Sequence, residues 1–216
     1  MPSGHQANGW AIYQWSAVKI AALILAAGAG SRFGSLKQLA LINDKPMLQH
    51  CIDSANGQLT GAVYTVLGNQ SELINRQISR TQVIQHPQWA QGIGSSIAAG
   101  VSYLRQDFDA ILIMLGDQPM ITSTHLGQLI ELYKGQQAVC SFYQGNLGVP
   151  AIFGKMHFDP LTKLTGDQGA KQLLKGLSPA PITVPLELMY RDIDYPQDID
   201  QLKLNTDYAS KATPKP

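Results

Sequence analysis

The stretch Ala110-Ile111-Leu112-Ile113-Met114-Leu115 is apolar at every position. A strand that has one face in water alternates apolar and polar side chains, so an unbroken apolar run predicts a strand that is buried on both faces. Such strands are typical of parallel sheets that helices cover on both sides. This stretch therefore predicts an α/β fold.

Short β-type runs alternate with helical patterns on either side of this stretch, and no repeat or Pro/Gly-rich linker interrupts them. We expect one domain over residues 18–205, between an aromatic N-terminal extension (residues 1–17) and a small polar tail (residues 206–216). The other predicted strands are Val18–Ala26, Ala62–Leu67, Gln82–Gln85, Ala138–Phe142, Val149–Phe153 and Pro181–Leu186. The predicted helices are Pro46–Asn56, Ser71–Ser79, Ser95–Arg105, Ser123–Tyr133 with Thr122 as its N-cap, Asp167–Lys175 and Pro196–Leu204.

The composition argues against several classes of protein. The 216 residues carry a formal net charge of +1 without a basic block, which does not favour nucleic-acid binding. The longest apolar stretch, Ile20–Ala27, is far shorter than the ~18 residues that cross a membrane, and no signal peptide is visible. The two cysteines, Cys51 and Cys140, form no CxxC pair. We therefore expect a reduced, cytoplasmic protein with no nucleic-acid or membrane partner.

A glycine-rich segment follows the first predicted strand, with the sequence Leu25-Ala26-Ala27-Gly28-Ala29-Gly30-Ser31-Arg32-Phe33-Gly34-Ser35-Leu36-Lys37. Glycines after a buried strand let the backbone turn sharply and direct its N–H groups at an anion. Arg32 offers a planar pair of donors and Lys37 a mobile positive charge, and both suit phosphate oxygens. The alternative is a plain strand-to-loop turn whose cations face water.

Two common phosphate-binding loops do not fit this segment. A P-loop needs Lys directly after its second glycine and followed by Ser or Thr, whereas Lys37 follows Leu36. The dinucleotide fingerprint needs a third glycine where Phe33 stands, and no acidic residue follows the second strand at Gly68 to hold a ribose. We therefore do not expect an NAD site.

Carboxylates follow the buried strand and recur near the C-terminus. Asp117 stands at the carboxyl edge of a predicted parallel strand, where open α/β sheets bind ligands. It suits Mg²⁺, which prefers hard oxygen ligands, although it could also only cap a turn. Alternation along an extended segment places Asp192 and Asp194 on one side and Ile193 on the other. Either carboxylate could reach the same metal, and Asp194 could also cap the helix that follows.

Together these motifs resemble those of a known family. The pattern Leu25-Ala26-Ala27-Gly28-x-Gly30-x-Arg32-x-Gly34-x-x-Lys37 is similar to the signature loop of nucleotidyltransferases with the nucleotide-diphosphosugar transferase fold, and Gly116-Asp117-Gln118-Pro119 is similar to their metal-binding segment. Four further stretches are similar, in order and spacing, to the molybdenum cofactor cytidylyltransferase branch, and the resemblance runs from about Ala21 to Leu202. These stretches are Trp89-x-x-Gly92-x-x-x-Ser96-x-x-x-Gly100, Gly148-x-Pro150-x-x-Phe153, Gly166-Asp167-x-Gly169-Ala170-Lys171 and Asp192-Ile193-Asp194-x-Pro196.

The resemblance implies a three-layer αβα sandwich around a mainly parallel, Rossmann-like sheet. It also implies that a nucleotidyl group passes from an NTP to the terminal phosphate of molybdopterin, with release of pyrophosphate. Arg32, Lys37 and Asp117 would be the catalytic residues, acting by positioning and charge neutralisation without a covalent nucleophile. Mg²⁺ would be held by Asp117 together with Asp194 or Asp192. A recipient molybdoenzyme or its chaperone would be a further partner.

Two sets of binding residues also follow from the resemblance. Lys171 stands where Arg is common in the family, which would lose a bidentate phosphate contact, and Phe33 stands where Met is common. The nucleotide would contact Leu25, Ala26, Ala27, Gly28, Gly30, Ser31, Arg32, Lys37, Pro87, Trp89, Gly92 and Ser96. The pterin side would comprise Gly148, Pro150, Gly166, Asp167, Gly169 and Lys171.

The choice of base rests on two details of the resemblance. Family members that use GTP resemble Leu-Ala-Gly-Gly in the loop, whereas Ala27 supplies a methyl group that we expect to narrow the base pocket and favour a pyrimidine. The segment from Pro87 to Gly92 is also similar to the cytidylyl-type base-contacting segment. CTP is therefore the expected substrate, and GTP is the nearest rival to it. A nucleotidyltransferase for a different phosphorylated small molecule and a non-catalytic carrier of the molybdenum cofactor also stay open.

Overall fold

A mixed β-sheet runs through the middle of the protein. The structure, a computed structural model, describes residues 18–30, 32–186 and 192–202. The strands are β1 (Ile20–Leu25), β2 (Leu41–Ile42), β3 (Lys45–Pro46), β4 (Val63–Leu67), β5 (Gln82–Gln85), β6 (Ala110–Leu115), β7 (Val139–Tyr143), β8 (Asn146–Gly154) and β9 (Ile182–Pro185). Within the described residues, seven of them form one sheet in the order β5-β4-β1-β6-β8-β7-β9, and β2 pairs with β3 in a small hairpin.

The apolar stretch that predicts the fold is the central strand β6. Its side chains from Ala110 to Met114 are all fully buried. It pairs in parallel with β1, where Leu23 lies opposite Ile113, and antiparallel with β8, where Ala151 lies opposite Ile113. The pairs β1–β4, β4–β5 and β7–β9 are also parallel, whereas β7–β8 is antiparallel. The mainly parallel sheet expected from the resemblance is therefore confirmed, with β8 as the reversed strand.

Helices cover both faces of this sheet. Ala22 and Ile24 of β1 belong to the apolar layer on one face of the sheet, and Leu23 and Leu25 belong to the layer on the other face. The three-layer αβα sandwich is confirmed. The helices are α1 (Met47–Asn56), α2 (Ser71–Asn75), α3 (Ile93–Leu104), α4 (Ser123–Leu132), α5 (Phe158–Thr162) and α6 (Ala170–Gly176).

Three short elements, β2, β3 and α5, have no counterpart in the sequence prediction because two to five residues are too few to display a period. The helix predicted over Ser71–Ser79 ends at Asn75, and the one predicted from Asp167 begins at Ala170. The N-cap prediction is correct, since Thr122 Oγ1 accepts a hydrogen bond from the backbone N–H of His125 (3.2 Å).

Residues 196–202 are helical, as predicted from Pro196. Asp198 caps this helix, because its Oδ2 accepts hydrogen bonds from the backbone N–H groups of Asp194 (2.8 Å) and Tyr195 (2.7 Å). The predicted end at Leu204 and the two terminal extensions (residues 1–17 and 206–216) lie outside the described residues. Of the helices that the structure describes, none has the length and apolar character needed to cross a bilayer.

Gly94, in the first turn of α3, packs directly against the backbone of residues 165–168. A Cβ added at Gly94 would lie 2.7 Å from Thr165 N and 2.9 Å from Gln168 O. Because packed backbone atoms cannot move aside cheaply, we expect Gly94→Ala to lower the free energy of unfolding by about 1–3 kcal/mol, measured by urea denaturation.

Gly176→Ala is the matched control for this variant, since no atom lies within 4 Å of the added Cβ at the end of α6. It should leave stability unchanged or raise it slightly. A Gly94→Ala protein as stable as the wild type would contradict the packing described for α3.

Candidate active site

A cleft of ≈ 330 Å³ opens at the carboxyl edge of β1 and β6, where open α/β sheets bind ligands. The glycine-rich loop and two of the three predicted carboxylates share this cleft. The predicted site residues that line it are Leu25, Ala26, Gly28, Gly30, Arg32, Lys37, Asp117 and Asp194, and they are joined by Gln38, Met47 and Gly116.

The glycine-rich loop closes on itself beyond the end of β1. Gly30 has a φ of +60°, and an added Cβ would lie 3.0 Å from Lys37 Cβ, so this turn requires glycine. The backbone N–H of Phe33 donates to Gly30 O (2.9 Å), and the Phe33 ring packs in a small apolar cluster with Met47 and Ile193. Arg32 is exposed at the rim of the cleft. Ser31, which the resemblance places at the nucleotide, lies outside the described residues.

Gln38 holds the start of this loop, and no motif in the sequence marks it as a site residue. Its side chain is buried, and Nε2 donates to Ala26 O (2.9 Å) and Gly28 O (2.8 Å). Both amide hydrogens are therefore used, while Oε1 has no hydrogen-bond partner among the described residues. A glutamine beside a loop normally faces water, so only the fold indicates that this one is buried beneath the loop.

Lys37 connects the loop to two carboxylates. Its Nζ donates to Asp117 Oδ2 (2.8 Å) and to Asp194 Oδ1 (2.9 Å), and its side chain is only 12% exposed. Burial alone would lower the pKa of Lys37, but the charges and hydrogen bonds of Asp117 and Asp194 outweigh it and raise that pKa. Lys37 is therefore a positioned and permanent positive charge inside the cleft.

The two carboxylate oxygens of Asp117 have different surroundings. Its Oδ1 is buried and has no hydrogen-bond partner among the residues that the structure describes, although Oδ2 pairs with Lys37. A buried carboxylate oxygen without a partner is costly unless a ligand binds it. The hard oxygens of Asp117 and Asp194 suit a divalent ion such as Mg²⁺ or Mn²⁺.

A metal at this position would be held by few protein ligands. Within the described ranges, no group of three or more His, Cys, Asp or Glu side chains comes together to form a metal cage. Mg²⁺ is commonly bound by one or two carboxylates, with water and substrate phosphates completing its coordination. The carboxylates in the cleft therefore fit an ion that arrives with a phosphorylated substrate.

The segment from Asp192 to Asp194 is tied to the end of β6. The backbone N–H of Ile193 donates to Asp117 O (2.9 Å), and the Ile193 side chain is buried, so the two flanking carboxylates point away from it. Asp194 faces Lys37, whereas Asp192 Oδ1 accepts from Gln118 Nε2 (2.8 Å). Asp192 is exposed, yet partial desolvation by its neighbours raises the pKa of its carboxyl, and the charge of Asp117 adds to the effect.

Residues predicted for the base side gather at the end of β4. Trp89 covers Gly68 so closely that no side chain would fit between them. Ala27 is buried in the apolar layer against which Trp89 packs, and its carbonyl accepts from the backbone N–H of Asn69 (3.4 Å). The Ala27 methyl group therefore contributes to the core, and Ala27 is not among the residues that line the cleft. Pro87 is exposed in the same segment, and Ser96 is buried in α3.

Two predicted segments meet at the start of α3. Gly92 has a φ of +101°, and an added Cβ would collide with the backbone of Gly166. The backbone N–H of Gly94 donates to Gly166 O (2.9 Å). Ser95 Oγ donates to Gly92 O (2.8 Å) and lies 2.9 Å from His86 Nε2. Because a hydroxyl has one hydrogen, His86 Nε2 is the donor to Ser95, and the chain of bonds fixes the Gly92 carbonyl.

The antiparallel strand β8 brings Gly148 and Pro150 to the carboxyl edge of β6. The ring of Tyr143 packs on Gly148, where an added Cβ would lie 2.6 Å from Tyr143 Cε1. Ser141 Oγ donates to Pro150 O (2.9 Å) and lies 2.9 Å from His125 Nε2, which is therefore a donor. Burial lowers the pKa of His125 and keeps its ring neutral near pH 7.

The remaining residues predicted for the pterin side lie at the surface. Gly169 directly precedes α6, and both Asp167 and Lys171 are exposed. Their contribution to binding stays a prediction.

The fold and the cleft together define the class of protein. A glycine-rich loop that faces an aspartate across the carboxyl edge of a mainly parallel sheet is the arrangement of the nucleotidyltransferase-like α/β proteins. Residues 22–181 match the family model described as MobA-like NTP transferase domain. The chain belongs to this family, and the resemblance read from the motifs is confirmed at that level.

Solved structures share the fold. Rv0371c from Mycobacterium tuberculosis H37Rv is 25% identical, with a TM-score of 0.76 over 87% of this chain and 98% of that one. Molybdopterin-guanine dinucleotide biosynthesis protein A from Archaeoglobus fulgidus is 18% identical, with a TM-score of 0.65 over 87% of this chain and 98% of that one. The 4-diphosphocytidyl-2C-methyl-D-erythritol synthase from Anaerococcus prevotii is 15% identical, with a TM-score of 0.70 over 89% of this chain and 100% of that one.

A curated relative is similar over part of its length. The bifunctional protein GlmU of Bacillus cereus is 27% identical over 137 residues, which are 62% of this chain and 30% of GlmU. This chain therefore spans less than one third of that relative. The nucleotide-diphosphosugar transferase fold itself is confirmed by the solved structures.

Removing the Gln38 side-chain amide should loosen the glycine-rich loop. Gln38→Leu leaves the carbonyl groups of Ala26 and Gly28 without their donor, so we expect a loss of about 1–3 kcal/mol in the free energy of unfolding. Triphosphate binding, measured by calorimetry with CTP, should weaken as well.

Gln58→Leu is the matched control, because Gln58 Nε2 also makes a hydrogen bond, to Ser123 Oγ (3.1 Å), but at an exposed site. We expect it to behave like the wild type in both measurements. If the two variants lose the same stability and bind CTP equally well, the role given to Gln38 is wrong.

Proposed function

We propose that this protein transfers CMP from CTP to the terminal phosphate of molybdenum-loaded molybdopterin and releases pyrophosphate. The observation that carries the proposal is the cleft in which a glycine-rich loop, Arg32 and Lys37 face Asp117 and Asp194. Donors for a polyphosphate and hard oxygen ligands for a divalent ion are placed side by side there. The match to the MobA-like NTP transferase family supports nucleotidyl transfer as the reaction class.

In the proposed reaction, the loop N–H groups, Arg32 and Lys37 bind the triphosphate. Asp117 and Asp194 would hold Mg²⁺, with Asp192 as the alternative second ligand, and the bound ion would neutralise charge on the phosphates. An oxygen of the pterin phosphate attacks the α-phosphorus in line. The new P–O bond forms as the bond to the β-phosphate oxygen breaks, and pyrophosphate leaves with that electron pair. Positioning and electrostatics supply the rate acceleration.

The acceptor is proposed to enter from the side of β8. Gly148 and Pro150 lie at the same sheet edge as Asp117, and Gly166 is held against Gly92. Asp167, Gly169 and Lys171 continue this surface toward α6. A fold neighbour is named for molybdopterin-guanine dinucleotide biosynthesis, which supports a pterin as the acceptor. Transfer of the finished cofactor to a molybdoenzyme or its chaperone in the cytoplasm would follow.

The proposal that CTP is the donor rests on the residues predicted to contact the nucleotide base. Fold neighbours are named for both guanine and cytidyl products, so their names do not choose between the bases. Ala27 and Trp89, which pack in one apolar layer, support a compact pocket. A smaller pocket favours the single ring of cytosine over the double ring of guanine.

Replacing Asp117 tests the reaction directly. With CTP, Mg²⁺ and molybdenum-loaded molybdopterin, we expect Asp117→Asn to lower the rate of pyrophosphate release at least about 100-fold, because a carboxylate that holds the metal is lost. The matched control is Asp109→Asn. Asp109 stands at the opposite end of β6, where its Oδ1 pairs with Lys155 Nζ (2.7 Å). This variant should keep the wild-type rate.

Different outcomes would overturn parts of the proposal. Pyrophosphate release with GTP alone would make the protein a guanylyltransferase. The absence of pyrophosphate release with CTP, GTP, ATP and UTP, despite nucleotide binding, would point to a different phosphorylated acceptor. Tight pterin binding without pyrophosphate release, unaffected by Asp117→Asn, would instead indicate a cofactor carrier.

The role of Ala27 in base choice is tested by Ala27→Gly. Loss of the methyl group removes apolar volume from the layer that Trp89 packs against, so we expect the ratio of CTP to GTP turnover to fall about tenfold. The comparison uses kcat/KM for both nucleotides with the same acceptor. An unchanged ratio would show that the methyl group serves only the core.

A further inference from the structure

Lys37 occupies the place between the two carboxylates that the proposed function gives to a divalent ion. Its Nζ lies 2.8 Å from Asp117 Oδ2 and 2.9 Å from Asp194 Oδ1. An ammonium group and a divalent cation would repel each other strongly if both bound the same pair of oxygens. A metal can therefore bind Asp117 Oδ2 or Asp194 Oδ1 only if Lys37 leaves that oxygen.

We propose that Lys37 is a resident counter-ion that keeps divalent metal out of the cleft until a polyphosphate arrives. The inference rests on the proposed function for its assignment of Asp117 and Asp194 as metal ligands. In the free protein, the ammonium group neutralises these carboxylates. When a nucleotide binds, its phosphates attract Lys37, and the vacated oxygens bind the metal.

Only the end of the Lys37 side chain has to move in this exchange. Lys37 Cβ packs against the turn at Gly30, because a Cβ added to Gly30 would lie only 3.0 Å from Lys37 Cβ. Gly28, Gly30 and Arg32 line the same cleft as the two carboxylates. The four-carbon stem can thus direct Nζ either to Asp117 or to a phosphate on the loop without backbone movement.

The unpaired oxygen of Asp117 fits the same account. Lys37 engages Oδ2, whereas Oδ1 is buried without a hydrogen-bond partner among the described residues. Without nucleotide, Lys37 therefore satisfies only one of the two carboxylate oxygens of Asp117. By thermodynamic linkage, any factor by which nucleotide raises metal affinity is also the factor by which metal raises nucleotide affinity.

The test measures metal binding alone. Mn²⁺ is titrated into the full chain without nucleotide, and the free ion is followed by electron paramagnetic resonance. We expect weak binding to the wild type and about tenfold or tighter binding to Lys37→Met, which keeps the apolar stem and removes the charge. Lys45→Met is the matched control, because Lys45 pairs with Asp53 (2.7 Å) outside the cleft, and it should bind Mn²⁺ like the wild type.

Adding Asp117→Asn to Lys37→Met should abolish the gain, which would locate the ion at these carboxylates. Equal Mn²⁺ affinity of the wild type and Lys37→Met, both folded by circular dichroism, would overturn the inference. A gain that survives Asp117→Asn would overturn it too, because the ion would then bind elsewhere.

A second measurement uses the wild type and does not depend on the variant folding. The Lys37 ammonium resonance is followed by ¹H–¹⁵N spectroscopy. We expect Mg²⁺ alone to leave it unchanged and Mg²⁺ with CTP to shift it, whereas a shift with Mg²⁺ alone contradicts the inference. Neither measurement needs a pterin acceptor, so failure of the transfer assay and failure of this inference are distinguishable.

Discussion

The burial of β6 on both faces organises the whole molecule. Because five successive side chains of β6 are fully buried, helices must cover both sides of the sheet, and the strand must lie in its interior. Gly116 directly follows the strand, and a Cβ added there would lie 2.9 Å from Ala26 Cβ and 3.0 Å from Leu48 Cδ1. This close approach brings the glycine-rich loop beside Asp117.

Charge pairing then fixes the cleft. Lys37 draws together the loop, the end of β6 and the segment near Asp194, and the apolar side chains of Phe33, Met47 and Ile193 pack next to this junction. A partly buried ion pair is held more firmly than a surface pair, because water screens it less. The cleft is therefore organised before any substrate binds.

Two hydrogen-bonded chains of the same kind support the edge of the cleft. His86 and Ser95 fix the carbonyl of Gly92, whereas His125 and Ser141 fix the carbonyl of Pro150. Burial lowers the pKa of both histidines, so each ring is a neutral donor at pH 7. The backbone at both predicted binding segments is thus held by groups that carry no charge.

Local signals in the amino-acid sequence were enough to predict part of this structure. The apolar run of β6 predicted the α/β class, the motif order predicted the family, and Thr122 predicted a helix start. Alternation predicted that Ile193 faces away from Asp192 and Asp194. The antiparallel direction of β8, the burial of Gln38 beneath the loop and the pairing of Lys37 with both carboxylates emerged only from the folded chain. The reason is distance along the chain: Lys37 is 80 residues from Asp117 and 157 from Asp194, and no local pattern encodes a contact that chain folding alone creates.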